Sequence, residues 1–160
     1  MMQKVRGHIN STRNLSHNEK KQLTELWNRL YPAALAHNDV AGFEGYLSDQ
    51  RDVRHQLLLD EQHEIKGWLS HFIRDKERWF SILVDPSCQG HGWGSRLLSL
   101  AKKECERLNG WIVDGNDARR KDGKAYLPPV DFYLKNGFVI DRESKTEKNG
   151  VRFVKIIWEK

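Results

Sequence analysis

The 160 residues of the chain are enough for one domain that buries a core without disulfides. Its two cysteines, Cys88 and Cys105, lack a Cys-x-x-Cys spacing, which argues against a disulfide framework or a cysteine zinc site and favours the reducing cytoplasm. The net charge of +5 comes from basic residues scattered among 22 acidic ones, so nucleic-acid binding is disfavoured and an anionic cofactor explains the excess equally well. No apolar run reaches the roughly 18 to 20 residues that a membrane span needs, and the first residues lack the apolar core of a signal peptide.

The first half of the chain predicts a strand and two helices, followed by three strands. Residues 4–9 fit a short strand, and Ser16 and Glu19 have the spacing of a capping box for a helix that ends at Pro32. A second, weaker helix is expected after Asp39, because each of its glycines costs about 1 kcal/mol relative to alanine. Three antiparallel strands joined by short charged turns are then expected at residues 54–59, 65–73 and 79–84.

The second half of the chain alternates helices and strands. A helix is expected from near Ser95 to Asn109-Gly110, a pair with the form of a helix C-cap. Asn149-Gly150 predicts a hairpin turn. The other expected elements are a strand at 111–113, a polar loop at 115–127, a short helix at 128–136, a strand at 138–140 and a last strand at 151–158. This order predicts a mixed sheet with helices on both faces.

The segment from Val84 to Gly94 reads Val-Asp-Pro-Ser-Cys-Gln-Gly-His-Gly-Trp-Gly and joins a strand to a helix. The first amides of a helix have no intrahelical acceptor, so such a turn presents N–H groups to an anion. The glycine spacing is not that of a dinucleotide fold, and the segment lacks the lysine of a P-loop. The alternative is a merely flexible turn, which the flanking strand and helix make less attractive.

This glycine segment resembles a motif of the GNAT superfamily of N-acetyltransferases. The motif is Q/R-x-x-G-x-G/A, present here from Gln89 to Gly94 and preceded by an apolar strand with Val-Asp-Pro. The family's later Phe-Tyr-x-x-x-Gly-Phe element is present from Phe132 to Phe138. The resemblance implies an α/β (α+β) fold in a single domain at residues 1–160. It also implies a mixed, mostly antiparallel sheet of about seven strands flanked by about four helices, with a splayed strand pair forming a CoA cleft.

The resemblance implies acetyl-CoA as the co-substrate and indicates which residues hold it. The pyrophosphate is expected on the backbone amides of Gln89, Gly90, His91, Gly92, Trp93, Gly94 and Ser95, where glycines allow close approach and the helix dipole favours negative charge. The pantetheine arm is expected along the strand of Ile82, Leu83 and Val84. Asn116, just after the neighbouring strand, matches an asparagine that touches the pantetheine in many members, although the loop after it is longer than usual.

Catalysis by direct attack of an amine on the thioester is the activity that the resemblance implies. Tyr133 then matches the general acid that protonates the leaving thiolate, and the Val84 amide polarises the carbonyl. Tyr133 could instead be only a core aromatic residue. No carboxylate stands clearly in place as the base, which leaves His63, His71, Asp131 or a water relay. No metal is indicated.

The acceptor is the least determined part of this reading. In the superfamily the first two helices and their connection wall the acceptor site, and they carry Trp27, Tyr31, Phe43 and Tyr46 here. A primary amine of a small molecule is slightly favoured over a peptide. The basic residues of loop 117–127 are either solvated or touch an anionic group.

Exposed sheet edges favour a homodimer. The alternative function is a non-catalytic acyl-CoA-binding regulatory module, or a basic nucleic-acid-binding domain.

Overall fold

The computed structural model describes residues 6–160, which form one seven-stranded sheet with four α-helices. The elements in chain order are β1 (Gly7–Thr12), α1 (His17–Leu30), α2 (Val40–Leu47), β2 (Arg51–Asp60), β3 (Ile65–Arg74), β4 (Glu77–Val84), α3 (Trp93–Lys103), β5 (Arg107–Val113), α4 (Val130–Lys135), β6 (Val139–Lys148) and β7 (Val151–Glu159). Short 3₁₀ turns lie at Ala33–Leu35 and Pro86–Cys88. None of the described helices is long and apolar enough to cross a membrane.

The strands follow the order β1-β2-β3-β4-β5-β7-β6. All neighbouring strands pair antiparallel except β4 and β5, which run parallel and pair only through Trp79 and Asn109. The prediction of a mixed, mostly antiparallel sheet with one splayed pair is therefore confirmed. β1 and β6 form the two edges of the sheet, and pairing of two copies along an edge stays a prediction.

Local signals explain where the first two helices begin and end. The Ser16 hydroxyl accepts from the Glu19 amide at 3.1 Å, and Glu19 accepts from the Ser16 amide at 2.7 Å, which completes the capping box. The helix α1 ends before Pro32, since proline cannot continue the backbone ladder. Asp39 caps α2 by accepting from the Gly42 amide at 2.9 Å.

Two hydrophobic cores lie on opposite faces of the sheet, because successive strand residues point to opposite sides. On one face, Phe80 and Ile82 of β4 pack with Leu97 of α3 and with Tyr133 of α4. On the other face, Trp68 and Leu83 pack against α1 and α2, where Trp27 is buried. The helices on both faces thus agree with the prediction, and the site is built where the two layers meet β4.

The predicted end of the third helix is wrong, because Asn109 and Gly110 lie within β5. The α3 helix ends at Lys103, after which Cys105 starts the connection to the strand. Asn109 is fully buried, and its amide donates to the Arg78 carbonyl at 3.0 Å. A Cβ at Gly110 would lie 2.7 Å from the Phe80 ring. The pair therefore serves close strand packing rather than a helix cap.

Other predicted boundaries shift as well. The first strand is β1 at Gly7–Thr12 rather than residues 4–9, of which Lys4 and Val5 lie outside the described part of the chain. The predicted strand at 138–140 extends as β6 to Lys148, because it pairs along β7 on both sides of an irregularity between Asp141 and Lys145. The helix expected from near Ser95 begins earlier, at Trp93.

Replacing Gly110 with alanine should destabilise the fold, because the added Cβ meets the Phe80 ring. We expect a loss of about 1–3 kcal/mol in the free energy of unfolding, typical of an overpacked core, measured by urea denaturation. Gly45→Ala is the matched control: its Cβ faces open space within α2, so stability should rise by about 1 kcal/mol. An unchanged or higher stability of Gly110→Ala would contradict this packing.

Candidate functional site

The gap between β4 and β5 leaves backbone groups of β4 without a strand partner. The Asp85 amide donates to the Lys66 carbonyl of β3 at 2.8 Å, and groups two residues apart point to the same side. The N–H and C=O groups of Ile82 and Val84 therefore face away from β3, towards β5. Because β4 and β5 pair only at Trp79 and Asn109, the gap-facing groups beyond that pair lack a ladder partner. Buried backbone groups need partners, so this edge is prepared to bind a ligand.

Two carbonyl groups on this gap-facing edge of β4 already accept hydrogen bonds. The Tyr31 hydroxyl donates to the Ile82 carbonyl at 3.3 Å, and the Gln89 amide donates to the Val84 carbonyl at 2.9 Å. The N–H groups of Ile82 and Val84 remain as donors towards the gap. The edge of β4 thus offers donors in a row, which suits a ligand with acceptor groups along its length.

The turn after β4 has the backbone conformation that close approach of an anion requires. The Asp85 side chain accepts from the Ser87 amide at 2.9 Å and starts the 3₁₀ turn at Pro86–Cys88. Gly90 and Gly92 have φ values of 80° and 82°, in the left-handed region that favours glycine, and a Cβ at either would meet nothing within 4 Å. The turn leads directly into α3, whose first amides lack intrahelical acceptors.

The gap and the glycine turn open into one cavity of about 1010 Å³. Most of the predicted site residues line it, namely Ile82, Leu83, Val84, Gln89, Gly90, Gly92, Trp93, Gly94, Ser95 and Tyr133. His91 and Asn116 do not line it. Asn116 is exposed in the bend after β5, so the structure does not bring it to the cavity with the others.

Tyr133 lies on α4. Its ring packs in the core and also lines the cavity wall. Its ring centroid is 6.0 Å from that of Phe80 and 5.8 Å from that of Phe138. Only 8% of the residue is exposed, and burial raises the pKa of its hydroxyl well above the usual value, with a smaller contribution from Tyr126. Tyr133 is therefore a protonated donor at neutral pH.

Close packing holds α4 against the glycine turn. A Cβ at Gly94 would lie 2.9 Å from the Phe132 ring, so glycine is what permits this approach. The Asn136 amide donates to the Ser95 hydroxyl at 3.2 Å and to the Phe132 carbonyl at 2.8 Å. Tyr133 and the turn are thus fixed relative to each other.

The other end of the cavity is an aromatic compartment beneath α1 and α2. The Tyr46 hydroxyl lies 2.6 Å from the Ser81 hydroxyl, and the Trp27 ring packs 4.5 Å from the Tyr31 ring. Phe43, also predicted for this wall, is fully buried behind it. We define the aromatic compartment by the cavity-lining residues Trp27, Tyr31, His37, Tyr46, Phe72, Arg74, Trp79, Ser81, Trp111, Arg120, Tyr126, Glu147, Lys148 and Phe153.

The polar loop at 115–127 lines this compartment with Arg120 and Tyr126. The sequence leaves its basic residues either solvated or in contact with an anionic group, and it does not predict the place of Tyr126. The Ala33 amide donates to the Arg119 carbonyl at 2.7 Å, and Pro32 and Arg120 form an isolated bridge. These contacts bring Tyr126 within 6.3 Å of the Tyr31 ring. Burial raises the pKa of Tyr126 to about 12. The only available signal was the apolar run that begins at Tyr126 inside a charged loop.

All four tyrosines of the chain line the cavity. The pKa of Tyr31 lies well above its usual value, chiefly through burial, with added contributions from Tyr126, Tyr133 and Tyr46. This mutual influence indicates that the four hydroxyls converge on one region. They supply neutral donors there without placing a charge in the cavity.

None of the predicted base candidates lines the cavity. His63 and Asp131 are exposed, whereas His71 is fully buried beside Arg78, whose guanidinium lies 2.9 Å from its Nδ1. The histidine that does line the cavity is His37, which the sequence analysis missed. Among the described residues, no group of three or more His, Cys, Asp or Glu is arranged to hold a metal ion.

His37 is held rigidly at the compartment wall. Its backbone amide donates to the Asn28 side chain at 2.8 Å, and its carbonyl accepts from the same side chain at 2.8 Å. Its ring lies 4.8 Å from the Trp27 ring. Burial lowers the pKa of His37, and the Lys148 charge lowers it further. The imidazole is therefore neutral at neutral pH and able to accept a proton.

Comparison with known proteins identifies the family. A family model described as the acetyltransferase (GNAT) domain matches residues 31–160. An aminoglycoside 6′-N-acetyltransferase solved with coenzyme A is 14% identical, with a TM-score of 0.70, covering 95% of this chain and 96% of its own. The ribosomal-protein-S18-alanine N-acetyltransferase from Escherichia coli is 16% identical with a TM-score of 0.64, covering 96% and 94%. A spermidine/spermine N-acetyltransferase from Vibrio cholerae is 15% identical with a TM-score of 0.58, covering 94% and 92%. No curated protein matches the sequence.

Removing the charge of Lys148 should raise the pKa of His37, because that charge disfavours the imidazolium. In Lys148→Met the pKa should move towards 6.5 and stay below it, since burial is the larger cause. An NMR pH titration of the His37 ring measures this. Lys145 lies on β6 like Lys148, and its ammonium pairs with Asp114. Lys145→Met should leave the His37 pKa unchanged. Equal His37 pKa values in the unmodified protein and in both variants would contradict the effect of the Lys148 charge on His37.

Proposed function

Because the chain belongs to the GNAT acetyltransferase family, we propose that it transfers the acetyl group of acetyl-CoA to a primary amine by direct attack. The single observation that carries this proposal is the unpaired edge of β4. Its Ile82 and Val84 N–H groups lie in one cavity with the glycine turn and with Tyr133. An anion-binding turn, a row of backbone donors and a protonated acid are what an acetyl-CoA thioester requires.

The residues present suit the binding of the donor. The turn from Gln89 to Ser95 offers backbone amides for the pyrophosphate, and the space where Cβ atoms of Gly90 and Gly92 would stand is open. The pantetheine amides would continue the sheet by pairing with the gap-facing edge of β4. Asn116 is exposed, so we do not assign it a part in holding the donor.

The proposed reaction uses three groups around the thioester. The Val84 N–H polarises the thioester carbonyl while the amine nitrogen attacks its carbon. As the C–N bond forms, the C–S bond breaks, and Tyr133 gives its proton to the departing thiolate. The amine proton passes to water or to His37, which burial keeps neutral. The transfer then needs no metal ion.

A small-molecule acceptor is favoured over a long peptide because two connections cross the aromatic compartment. The loop at 115–127 is bonded to the segment after α1 through Ala33 and Arg119. The tip of the β6–β7 hairpin is bonded to the same segment, where the Asn149 amide donates to the Ala34 carbonyl at 3.1 Å. The named relatives act on an aminoglycoside, a ribosomal protein and polyamines, so the fold alone does not choose the acceptor.

Incubation with acetyl-CoA and a panel of primary amines, followed by detection of free thiol, tests the proposal. Thiol release that depends on the amine is the expected result. Binding of CoA without release of thiol for any amine of the panel would overturn the proposed enzymatic activity and favour a non-catalytic acyl-CoA-binding module. Failure to bind CoA, measured by calorimetry, would overturn the donor site as well.

Replacing Tyr133 with phenylalanine should lower turnover and leave acetyl-CoA affinity nearly unchanged. The ring keeps its place beside Phe80, so only the proton donor is lost. General acids contribute roughly 10²-fold or more, so we expect a fall of about that size in kcat from steady-state kinetics, with an unchanged Kd from calorimetry. Unchanged turnover would remove Tyr133 from the mechanism.

Replacing Gly92 with alanine should weaken the binding of CoA by about tenfold or more. The φ of 82° strains any other residue, and its Cβ would stand where the pyrophosphate approaches the backbone. Gly123→Ala is the control, because Gly123 has a φ of 84° and equally open space but does not line the cavity. Calorimetry with CoA measures both variants. An equal loss of CoA affinity in Gly92→Ala and Gly123→Ala would contradict a specific role of Gly92, because backbone strain alone would then account for the loss.

A further inference from the structure

The charges of the aromatic compartment are unlike those expected for a polycationic acceptor. Its charged side chains are Arg74, Arg120 and Lys148, against the single carboxylate of Glu147. A second positive charge on the acceptor would be repelled here, whereas a negative one would be attracted. The sign of this field therefore bears on the acceptor, and the inference below rests on the proposed function.

Arg74 has the geometry of an anion-binding group. Its guanidinium lies 5.3 Å from the centre of the Phe72 ring and 5.4 Å from that of the Trp79 ring, so the side chain is held against the compartment floor. Its ion pair is a 3.9 Å contact with Asp49, a side chain that is 61% exposed. A loose surface pair of this kind contributes little and leaves the fork of donors largely free.

Two other cations near the compartment, Arg120 and Lys155, are more fully occupied. Arg120 makes two hydrogen bonds with Asp122, at 2.7 and 3.3 Å. Lys155 lies 3.6 Å from Glu77 and places its ammonium 5.2 Å from the Trp79 ring centre. Arg74 is thus freer than these two, and its planar fork can bind a carboxylate through two donors, which the exposed ammonium of Lys148 cannot.

An apolar surface lies between Arg74 and the place of reaction. The Trp79 and Trp111 rings stack with their centroids 5.3 Å apart. Ser81, bonded to Tyr46, follows two residues after Trp79 on the same face of β4, roughly 7 Å along the strand. Tyr46 and Arg74 line the same cavity.

We propose that the acceptor is a primary amine that carries a carboxylate on an apolar or aromatic body. The body packs on the stacked rings of Trp79 and Trp111, and the carboxylate binds the guanidinium of Arg74. The amine then reaches the gap between β4 and β5 near Ser81. Polyamines are rejected because their additional positive charges meet three cations of the compartment and the single carboxylate of Glu147.

Three acceptors test this proposal: 4-(2-aminoethyl)benzoate, phenethylamine and spermidine. The first two differ only in the carboxylate. We expect kcat/KM for the benzoate to exceed that for the other two by at least tenfold. Equal values for the first pair, or a preference for spermidine, would overturn the inference while leaving the proposed function intact. No transfer to any primary amine would contradict the proposed function itself.

Variants of Arg74 test whether this side chain recognises the carboxylate of the acceptor. Arg74→Gln should lower kcat/KM for the benzoate to that of phenethylamine, and Arg74→Glu should make spermidine the better acceptor. Unfolding midpoints of both variants close to that of the unmodified protein would separate lost recognition from lost folding. Arg142→Gln, at an exposed position of β6 outside the cavity, is the control and should change none of the three values. A carboxylate preference that survives in Arg74→Gln would overturn the role of Arg74.

Discussion

The parallel contact between β4 and β5 at a single residue pair is the constraint on which the site depends. At that pair the strands are pinned, because the Asn109 amide donates to the Arg78 carbonyl and the Phe80 ring fills the space beside Gly110. Beyond it they diverge, and the sheet leaves the Ile82 and Val84 amides without partners. A protein seldom leaves such groups unpaired in its interior, so the gap has a cost in stability that a bound ligand can repay.

The glycine turn and the aromatic compartment, at the two ends of the cavity, share supports, so the two regions are not independent. Arg29 of α1 forms an ion pair with Asp85, the residue whose side chain caps the start of the glycine turn. Two residues further along the chain, Tyr31 donates to the Ile82 carbonyl at the edge of β4. The end of α1 therefore positions both the turn and the aromatic compartment, and movement of this helix would alter both at once.

Burial gives the cavity its chemical character. The tyrosines around it stay protonated because desolvation opposes their ionisation, and His37 stays neutral for the same reason. A neutral amine, a proton donor and a proton acceptor can then coexist in a region of low polarity. The charges that remain in the aromatic compartment, such as that of Arg74, lie on side chains that keep partial contact with solvent.

Local patterns in the sequence determined the family, the glycine turn, the capping box of α1 and the short helix that carries Tyr133, because each depends on residues close together along the chain. They could not determine that Asn109 and Gly110 form part of a strand, since the reason is the Phe80 ring of another strand. Nor could they place His37, Arg74 and Tyr126 in the aromatic compartment, because contacts such as that between Ala33 and Arg119 join distant segments and leave no periodic trace. The sequence by itself thus determined the family and the glycine turn, and only the tertiary structure, by folding these segments over the gap, decided the shape and charge of the aromatic compartment.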